Sequence, residues 1–199
     1  MKTSIFTILA IVALAVGSTN SSLASVKNDN KEVSTTLTNI SQISKIEVHG
    51  NVELYISDGN TDQVKVYNQY YAESALVQSQ NGVLRISSYK AEKLVVWVTA
   101  NDLRAISVYD NAAVKSFGSL SKIDLDVNLY DNATATLNLE AYRATVTVND
   151  NAKATLTGSV TEYSLKYADS AKVINDNFIT VNESKMQMSA AGKRDIAGL

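Results

Sequence analysis

The 199-residue sequence contains no cysteine and no proline, and it has one histidine, His49, and one tryptophan. Without cysteine the chain can form neither a disulfide framework nor a thiolate zinc site, and it has no thiol nucleophile. A single histidine excludes a metal site with several histidine ligands and argues against histidine-based catalysis. The composition therefore excludes more chemistry than it indicates.

An excess of positive charge is also missing. The formal net charge is −2, the isoelectric point is about 5.4, and no segment is strongly basic. A protein that follows a phosphate backbone needs clustered lysine and arginine, so nucleic acid is not an expected partner. The same absence argues against electrostatic anchoring to a membrane surface.

The first residues have the features of an export signal. Lys2 precedes an apolar run over residues 5–16 that is too short to span a bilayer comfortably but suits a signal peptide. Small residues at positions 22 and 24 favour cleavage after Ala24. We therefore predict a signal peptide over residues 1–24 and no transmembrane span after its removal.

The rest of the chain is expected to form one domain. Residues 25–42 are rich in Ser, Thr and Asn and are predicted to be a flexible segment, and residues 43–199 are predicted to be a single domain. Exported proteins without cysteine are common in the bacterial envelope. The expected location is the periplasm, the cell surface or the medium.

Apolar and polar residues alternate with period 2 through most of this domain, which predicts short, half-buried β-strands and an all-β fold. No helical periodicity interrupts the pattern, and no proline removes a backbone donor from a ladder. The alternating apolar positions of the first half include Ile46, Val48, Val52, Leu54, Ile56, Val64, Val66, Leu84, Ile86, Leu94, Val96 and Val98.

The second half of the chain is an internal repeat. Its copies align on aspartates spaced by 21, 19 and 19 residues, with apolar residues four and two positions before each aspartate and small or apolar ones two and four positions after it. The four corners are Tyr109-Asp110-Asn111-Ala112, Tyr130-Asp131-Asn132-Ala133, Asn149-Asp150-Asn151-Ala152 and Ala168-Asp169-Ser170-Ala171, with a degenerate fifth copy over residues 186–191.

A period near 20 residues in a sequence of strands predicts a β-solenoid, in which each repeat forms one coil and successive coils stack about 4.8 Å apart. Equivalent residues would then form ladders, apolar inside and polar at the corners. Asp and Asn suit such corners because both tolerate positive φ and bond nearby backbone. A β-sandwich is the alternative, although it gives no reason for a corner that recurs at nearly constant spacing.

These features resemble the auto-transporter adhesin head domain called the GIN domain (DUF2807). The resemblance rests on the exported start, the repeated corners and the opening Ile46-Glu47-Val48-His49-Gly50-Asn51-Val52-Glu53-Leu54-Tyr55-Ile56, and it spans roughly residues 43–191. It implies a right-handed parallel β-helix-like solenoid in an exported protein of Bacteroidetes-type bacteria, with no established enzymatic activity. The family corner usually carries glycine where this chain has aspartate, a substitution that a left-handed corner tolerates.

The aligned aspartates Asp110, Asp131, Asp150 and Asp169 have two interpretations. Corner chemistry alone explains them, and a structural role is favoured. Carboxylates stacked at the coil spacing could also collect Ca²⁺, which prefers 6–8 oxygen ligands, although the glycine-rich pattern of Ca²⁺-binding β-rolls is missing. No resident cofactor or metal is therefore predicted, and Ca²⁺ is the one ion that the column could take.

Tyr109, Tyr130 and Asn149 occupy the same outward position in consecutive copies. Aromatic rings beside amide and carboxylate groups suit sugar binding, whereas tyrosine is also simply a good strand residue. Together with the four aspartates they form the predicted binding face.

The sequence therefore predicts a non-enzymatic, adhesin-like or glycan-binding envelope protein whose partner is a polysaccharide or a protein. A structural or assembly module that pairs through an open sheet edge, and so forms a homo-oligomer, is the alternative. A polysaccharide-acting enzyme using carboxylates such as Asp124 and Asp126 is a weaker one.

Overall fold

The computed structural model describes residues 34–37, 40, 42–67 and 75–188. The predicted signal peptide, most of the 25–42 segment and residues 189–191 of the degenerate copy lie outside this part. Its strands are β1 (Ser34–Leu37), β2 (Lys45–Gly50), β3 (Val52–Asp58), β4 (Gln63–Tyr67), β5 (Ala75–Gln80), β6 (Val83–Ser88), β7 (Leu94–Ala100), β8 (Ala105–Val108), β9 (Ala113–Leu129), β10 (Thr134–Val148), β11 (Lys153–Ala168) and β12 (Lys172–Met188).

The described residues form one twelve-stranded sheet and contain no helix, which confirms the all-β prediction. None of them therefore belongs to a helix long and apolar enough to cross a membrane. The closed-coil solenoid itself stays a prediction.

The long strands β9 to β12 pair in parallel, each with the next along the chain. Between β10 and β11 the register partners are 19 residues apart throughout, as in Ala135 with Ala154 and Val146 with Leu165. Equivalent positions of successive repeats therefore lie side by side. Parallel pairing also explains why the repeat has no tight hairpins, since parallel neighbours need a long connection.

The first half of the sheet does not follow chain order. β2 lies between β6 and β8, and β3 lies between β7 and β9, with parallel pairing in all four cases. The segment 45–58 is thus inserted between two segments that come later in the sequence. This arrangement joins the irregular first half to the repeated second half in one continuous sheet.

Burial follows the predicted alternation. Each of the apolar residues named above for the first half is at most 1% exposed. In the repeats, the alanines that follow the first three corners, Ala112, Ala133 and Ala152, are all 0% exposed. Only a small side chain fits where the chain turns back over the core, so alanine after each corner has a packing reason.

The two ends of the sheet differ. At the end formed by the early strands, β5 pairs with β6, β4 with β7 and β1 with β4, all antiparallel. β1 falls in the segment predicted to be flexible; backbone pairing with β4 orders these four residues although their own sequence is polar. At the other end, β12 pairs only with β11 among the described strands.

Candidate functional site

Residues 49–51, 109–111, 130–132, 149–151 and 168–170 form one column of turns, which we call the corner ribbon. Pairing of β2 with β8 places Gly50 beside Asp110, so the early His49-Gly50-Asn51 turn belongs to the same column. Each of the four later turns closes with a bond from the N–H of the following alanine to the carbonyl three residues earlier, as from Ala133 to Tyr130 at 3.0 Å.

The second residue of these turns has positive φ in four of the five corners. The values are 80° at Gly50, 59° at Asp110, 56° at Asp131 and 52° at Asp150. Positive φ at the second position alone is the pattern of a type II′ turn, where glycine is the residue with the lowest steric cost. Aspartate in three corners therefore needs a compensating contact.

The aspartate carboxylates supply that contact. The backbone N–H of Gly50 donates to Asp110 Oδ2 at 2.9 Å, that of Asp110 donates to Asp131 Oδ2 at 3.0 Å, and that of Asp131 donates to Asp150 Oδ2 at 3.1 Å. Each carboxylate thus accepts the N–H that points out of the preceding corner. Charge-assisted bonds of this kind are about twice as strong as neutral ones, so the ladder ties one repeat to the next.

Asp169 departs from this pattern. Its φ is not positive, and its Oδ1 accepts a bond from Gln187 Nε2 instead of a corner N–H. Ser170, in place of the asparagine of the other repeats, donates to the Asp150 carbonyl. The expectation of a left-handed corner at Asp169 is therefore wrong, because this turn lies beside the edge strand and a different side chain satisfies the corner before it.

The aspartates do not form a cation cage in the described part of the chain, where no group of three or more acidic or histidine side chains is placed to hold a metal. One oxygen of Asp110, Asp131 and Asp150 is already occupied by an N–H. These contacts favour the structural interpretation of the column over the Ca²⁺ one.

The predicted binding residues do come together, as an aromatic column beside the carboxylates. The rings of His49 and Tyr109 lie 4.3 Å apart with an angle of 1° between their planes, and those of Tyr109 and Tyr130 lie 4.7 Å apart at 2°. Asn149 follows and donates through Nδ2 to the carbonyl of Leu129 at 3.0 Å. Because the ring faces cover one another, the ribbon presents ring edges and hydroxyls, not the flat faces that the sequence suggested.

An exposed asparagine column completes the ribbon. Asn111, Asn132 and Asn151 are all exposed, and Asn132 Nδ2 donates to Asn111 Oδ1 at 3.4 Å. Amides, carboxylates and phenol edges are thus repeated along the ribbon at the coil spacing. Such a surface can exchange hydrogen bonds with a ligand that is itself a linear polar repeat.

The sequence did not single out a second aromatic cluster, on the outer face of β3, β7 and β9. The Tyr55 and Trp97 rings are stacked at 4.8 Å, and Phe117, which is 64% exposed, lies 5.2 Å from Trp97. We call these three residues the aromatic platform. The 21-residue spacing of the first repeat was the available signal, since the two extra residues fall beside Phe117.

Charged groups adjoin this platform. Glu53 accepts bonds from Lys115 Nζ at 2.6 Å and from the Tyr55 hydroxyl at 2.9 Å, and Lys93 lies 3.5 Å from its other oxygen. The hydrogen bond from Lys115 is the main reason that the pKa of Glu53 is lowered, and the same bond raises the pKa of Lys115. Both groups are therefore charged at neutral pH.

The carboxylates considered for catalysis do not form an isolated pair. Asp124 binds Arg143 at 2.9 Å, and the same guanidinium binds Glu162 at 3.0 Å. Both hydrogen bonds and charge from these acids raise the pKa of Arg143. Asp124 is thus held in a surface ion pair across three strands, a structural arrangement that needs no substrate.

Known structures share this fold. An adhesin structure from Parabacteroides distasonis, described as putative, has a TM-score of 0.60 at 18% identity, covering 82% of this chain and 81% of its own. One with the same description from Parabacteroides merdae has a TM-score of 0.57 at 13% identity, covering 81% and 80%. A protein from Parabacteroides distasonis described as "putative lipid binding protein" has a TM-score of 0.54 at 11% identity, covering 80% and 94%.

No curated protein matches the chain significantly. A family model does match, over residues 42–197, which is nearly the whole domain predicted from the repeat. Its description agrees with the resemblance drawn from the opening strand and the corners. The chain belongs to the family described as "Putative auto-transporter adhesin, head GIN domain".

Proposed function

We propose that this chain is an exported, non-enzymatic adhesin of the cell envelope, and that it binds glycan along the corner ribbon. Membership of an adhesin family supports export and an adhesive role. The parallel, in-register pairing of the repeats supports a short right-handed β-solenoid over residues 43–199 as the scaffold. On such a scaffold, function is spread along a face.

The observation that carries the proposal is the regular alignment of polar groups on the ribbon. Tyr109 and Tyr130 are stacked with parallel rings, so their edges line up along the direction in which the repeats stack. The exposed Asn111 and Asn132 run beside them. A linear polysaccharide lying along the ribbon would meet the same donors and acceptors at each step, which adds several weak contacts into one binding event.

The test removes the hydroxyls and keeps the stack. We expect the double variant Tyr109→Phe, Tyr130→Phe to lose most of the binding that the exported protein shows to glycans on an array. Each hydroxyl that bonds a ligand is worth about 1 kcal/mol, so affinity should fall roughly tenfold to thirtyfold.

Tyr142→Phe is the matched control, because Tyr142 is also exposed but lies away from the ribbon and bonds Glu162. Its binding should equal that of the unchanged protein. Undiminished glycan binding by the double variant would rule out the ribbon as the contact surface.

A second candidate function, assembly through a sheet edge, is favoured by β12. Its 17 residues pair on one side only among the described strands, and Ile179, Val181 and Met186 on it are 70%, 74% and 57% exposed. An open edge with apolar side chains is a template for another strand. A second copy of the same chain is the partner we propose, with the two β12 edges paired antiparallel about a twofold axis.

Sedimentation velocity of the exported protein over a range of concentrations tests this assembly. We expect a dimer, and we expect Val181→Lys to shift it to monomer because a charge at the centre of the edge opposes strand pairing. Ile123→Lys changes an equally exposed residue, 77%, on β9 and should leave the dimer intact. A monomer at all concentrations would exclude β12 as a dimer edge.

A further inference from the structure

The repeat is interrupted once, at the aromatic platform. On one side of the interruption Lys115 pairs with Thr136, 21 residues ahead, and on the other Ser119 pairs with Asn138, 19 residues ahead. Two extra residues are therefore accommodated between Lys115 and Ser119. Bulges of this kind are found preferentially where a side chain is redirected for function.

The backbone of this bulge shows that it is not filling space in the core. Gly118 has φ of 81°, and a Cβ built on it would meet no atom within 4 Å. Phe117, beside it, is 64% exposed although it is one of only three phenylalanines in the chain. Exposing a phenylalanine in water is unfavourable by about 1–3 kcal/mol relative to burying it, so the position favours a ligand contact over packing.

The three rings form a surface suited to a sugar ring. Unlike the rings of the corner ribbon, which are coplanar in their stacking, Phe117 is inclined by 56° to Trp97, so part of a ring face stays open. Tyr55 supports Trp97 from the other side at 4.8 Å. An amphipathic aromatic surface of this kind binds the CH face of a pyranose and leaves its hydroxyls for neighbouring polar groups.

The charges at the platform select the kind of sugar. Lys65 lies opposite Trp97 in the strand register, and Lys93 and Lys115 both bind Glu53. The three lysines are thus balanced by one glutamate, whose side chain is only 16% exposed. Lys93 and Lys115 are 52% and 45% exposed and stay within reach of a ligand. The local excess of positive charge attracts an anion.

We propose that the aromatic platform is a binding site for acidic polysaccharide, with a uronic acid ring against Phe117 and Trp97 and its carboxylate near the lysines. This inference rests on the proposed adhesive function but uses a different surface from the corner ribbon. Trp97 is the only tryptophan in the chain, so its fluorescence reports on this site alone.

The experiment titrates the exported protein with polygalacturonate and follows Trp97 fluorescence. We expect a saturable change that weakens as salt is raised and is absent with fully methyl-esterified polygalacturonate, which has the same backbone without the charge. Phe117→Ala should weaken binding roughly threefold to tenfold, the range for losing one aromatic stacking contact. Lys65→Gln should reduce the salt dependence.

Ile123→Ala is the matched control, since it truncates another exposed apolar residue of β9 at 77% exposure and should bind as the unchanged protein does. Unchanged binding by Phe117→Ala, no response at millimolar uronate, or a Trp97 response to anionic lipid vesicles in place of the polymer would each overturn the proposal. The Tyr109→Phe, Tyr130→Phe variant should keep the Trp97 response; if only that variant loses glycan binding, the ribbon stands and the platform fails.

Discussion

Replacing Gly50 by alanine is expected to lower the free energy of unfolding by roughly 3–5 kcal/mol, the sum of a left-handed backbone penalty and a steric one. Gly50 has φ of 80°, and a Cβ there would come within 2.1 Å of the Ser88 carbonyl oxygen. That oxygen belongs to the backbone of β6, which pairs with β2 at this position. The strand cannot move away without breaking the ladder, so the clash is not relieved by a side-chain rotation.

Gly118→Ala is the matched control for this substitution. Gly118 has nearly the same φ, 81°, but its Cβ would meet nothing within 4 Å. We expect a loss of only about 1–2 kcal/mol, from the backbone penalty alone. Urea unfolding of both variants, followed by circular dichroism, measures the difference. Equal losses would show that Ser88 yields, and the close approach of β2 and β6 would then not be a constraint.

Much of the fold follows from local patterns in the sequence. Alternation of apolar and polar residues predicts which side chains are buried, because a strand turns successive side chains to opposite faces. Leu54 and Val146, from the two halves of the chain, are both 0% exposed as the alternation requires. The repeat spacing likewise predicts the register of the long strands.

The order of the early strands could not be predicted in this way. Nothing in residues 45–58 indicates that they lie between β6 and β8, because this pairing is decided by contacts distant in sequence and not by the residues' own pattern. Gly50 carries the one retrospective hint. It aligns with the repeat corners, and its N–H joins their carboxylate ladder through Asp110 at 2.9 Å.

The candidate site was predicted in its residues but not in its contacts. The sequence placed Tyr109 and Tyr130 on one face, yet only coordinates show that their ring planes differ by 2° and so cover each other. The aromatic platform was missed because Tyr55, Trp97 and Phe117 come from three separate segments. Spacing identifies groups within a repeat, whereas a cluster across unrelated strands leaves no periodic trace.

The corner carboxylates give the second large expected effect. Asp131→Ala removes the acceptor for the Asp110 N–H and also leaves a residue that tolerates positive φ poorly at 56°. Together these changes should lower the free energy of unfolding by about 2–4 kcal/mol. Asp131→Asn keeps an acceptor oxygen and a tolerated φ, so it should lose less than half as much. Urea unfolding measures both values.

The most direct test of the corner ladder is the free energy of unfolding of Asp131→Gly, measured in urea with and without millimolar Ca²⁺. Glycine suits the positive φ of 56° better than aspartate does, so backbone conformation alone predicts a neutral or stabilising change. The lost hydrogen bond to the Asp110 N–H predicts a destabilisation of about 1–2 kcal/mol, unaffected by Ca²⁺. An unchanged or higher stability in Asp131→Gly, or stabilisation of the unchanged protein by Ca²⁺, would contradict a structural role for the ladder.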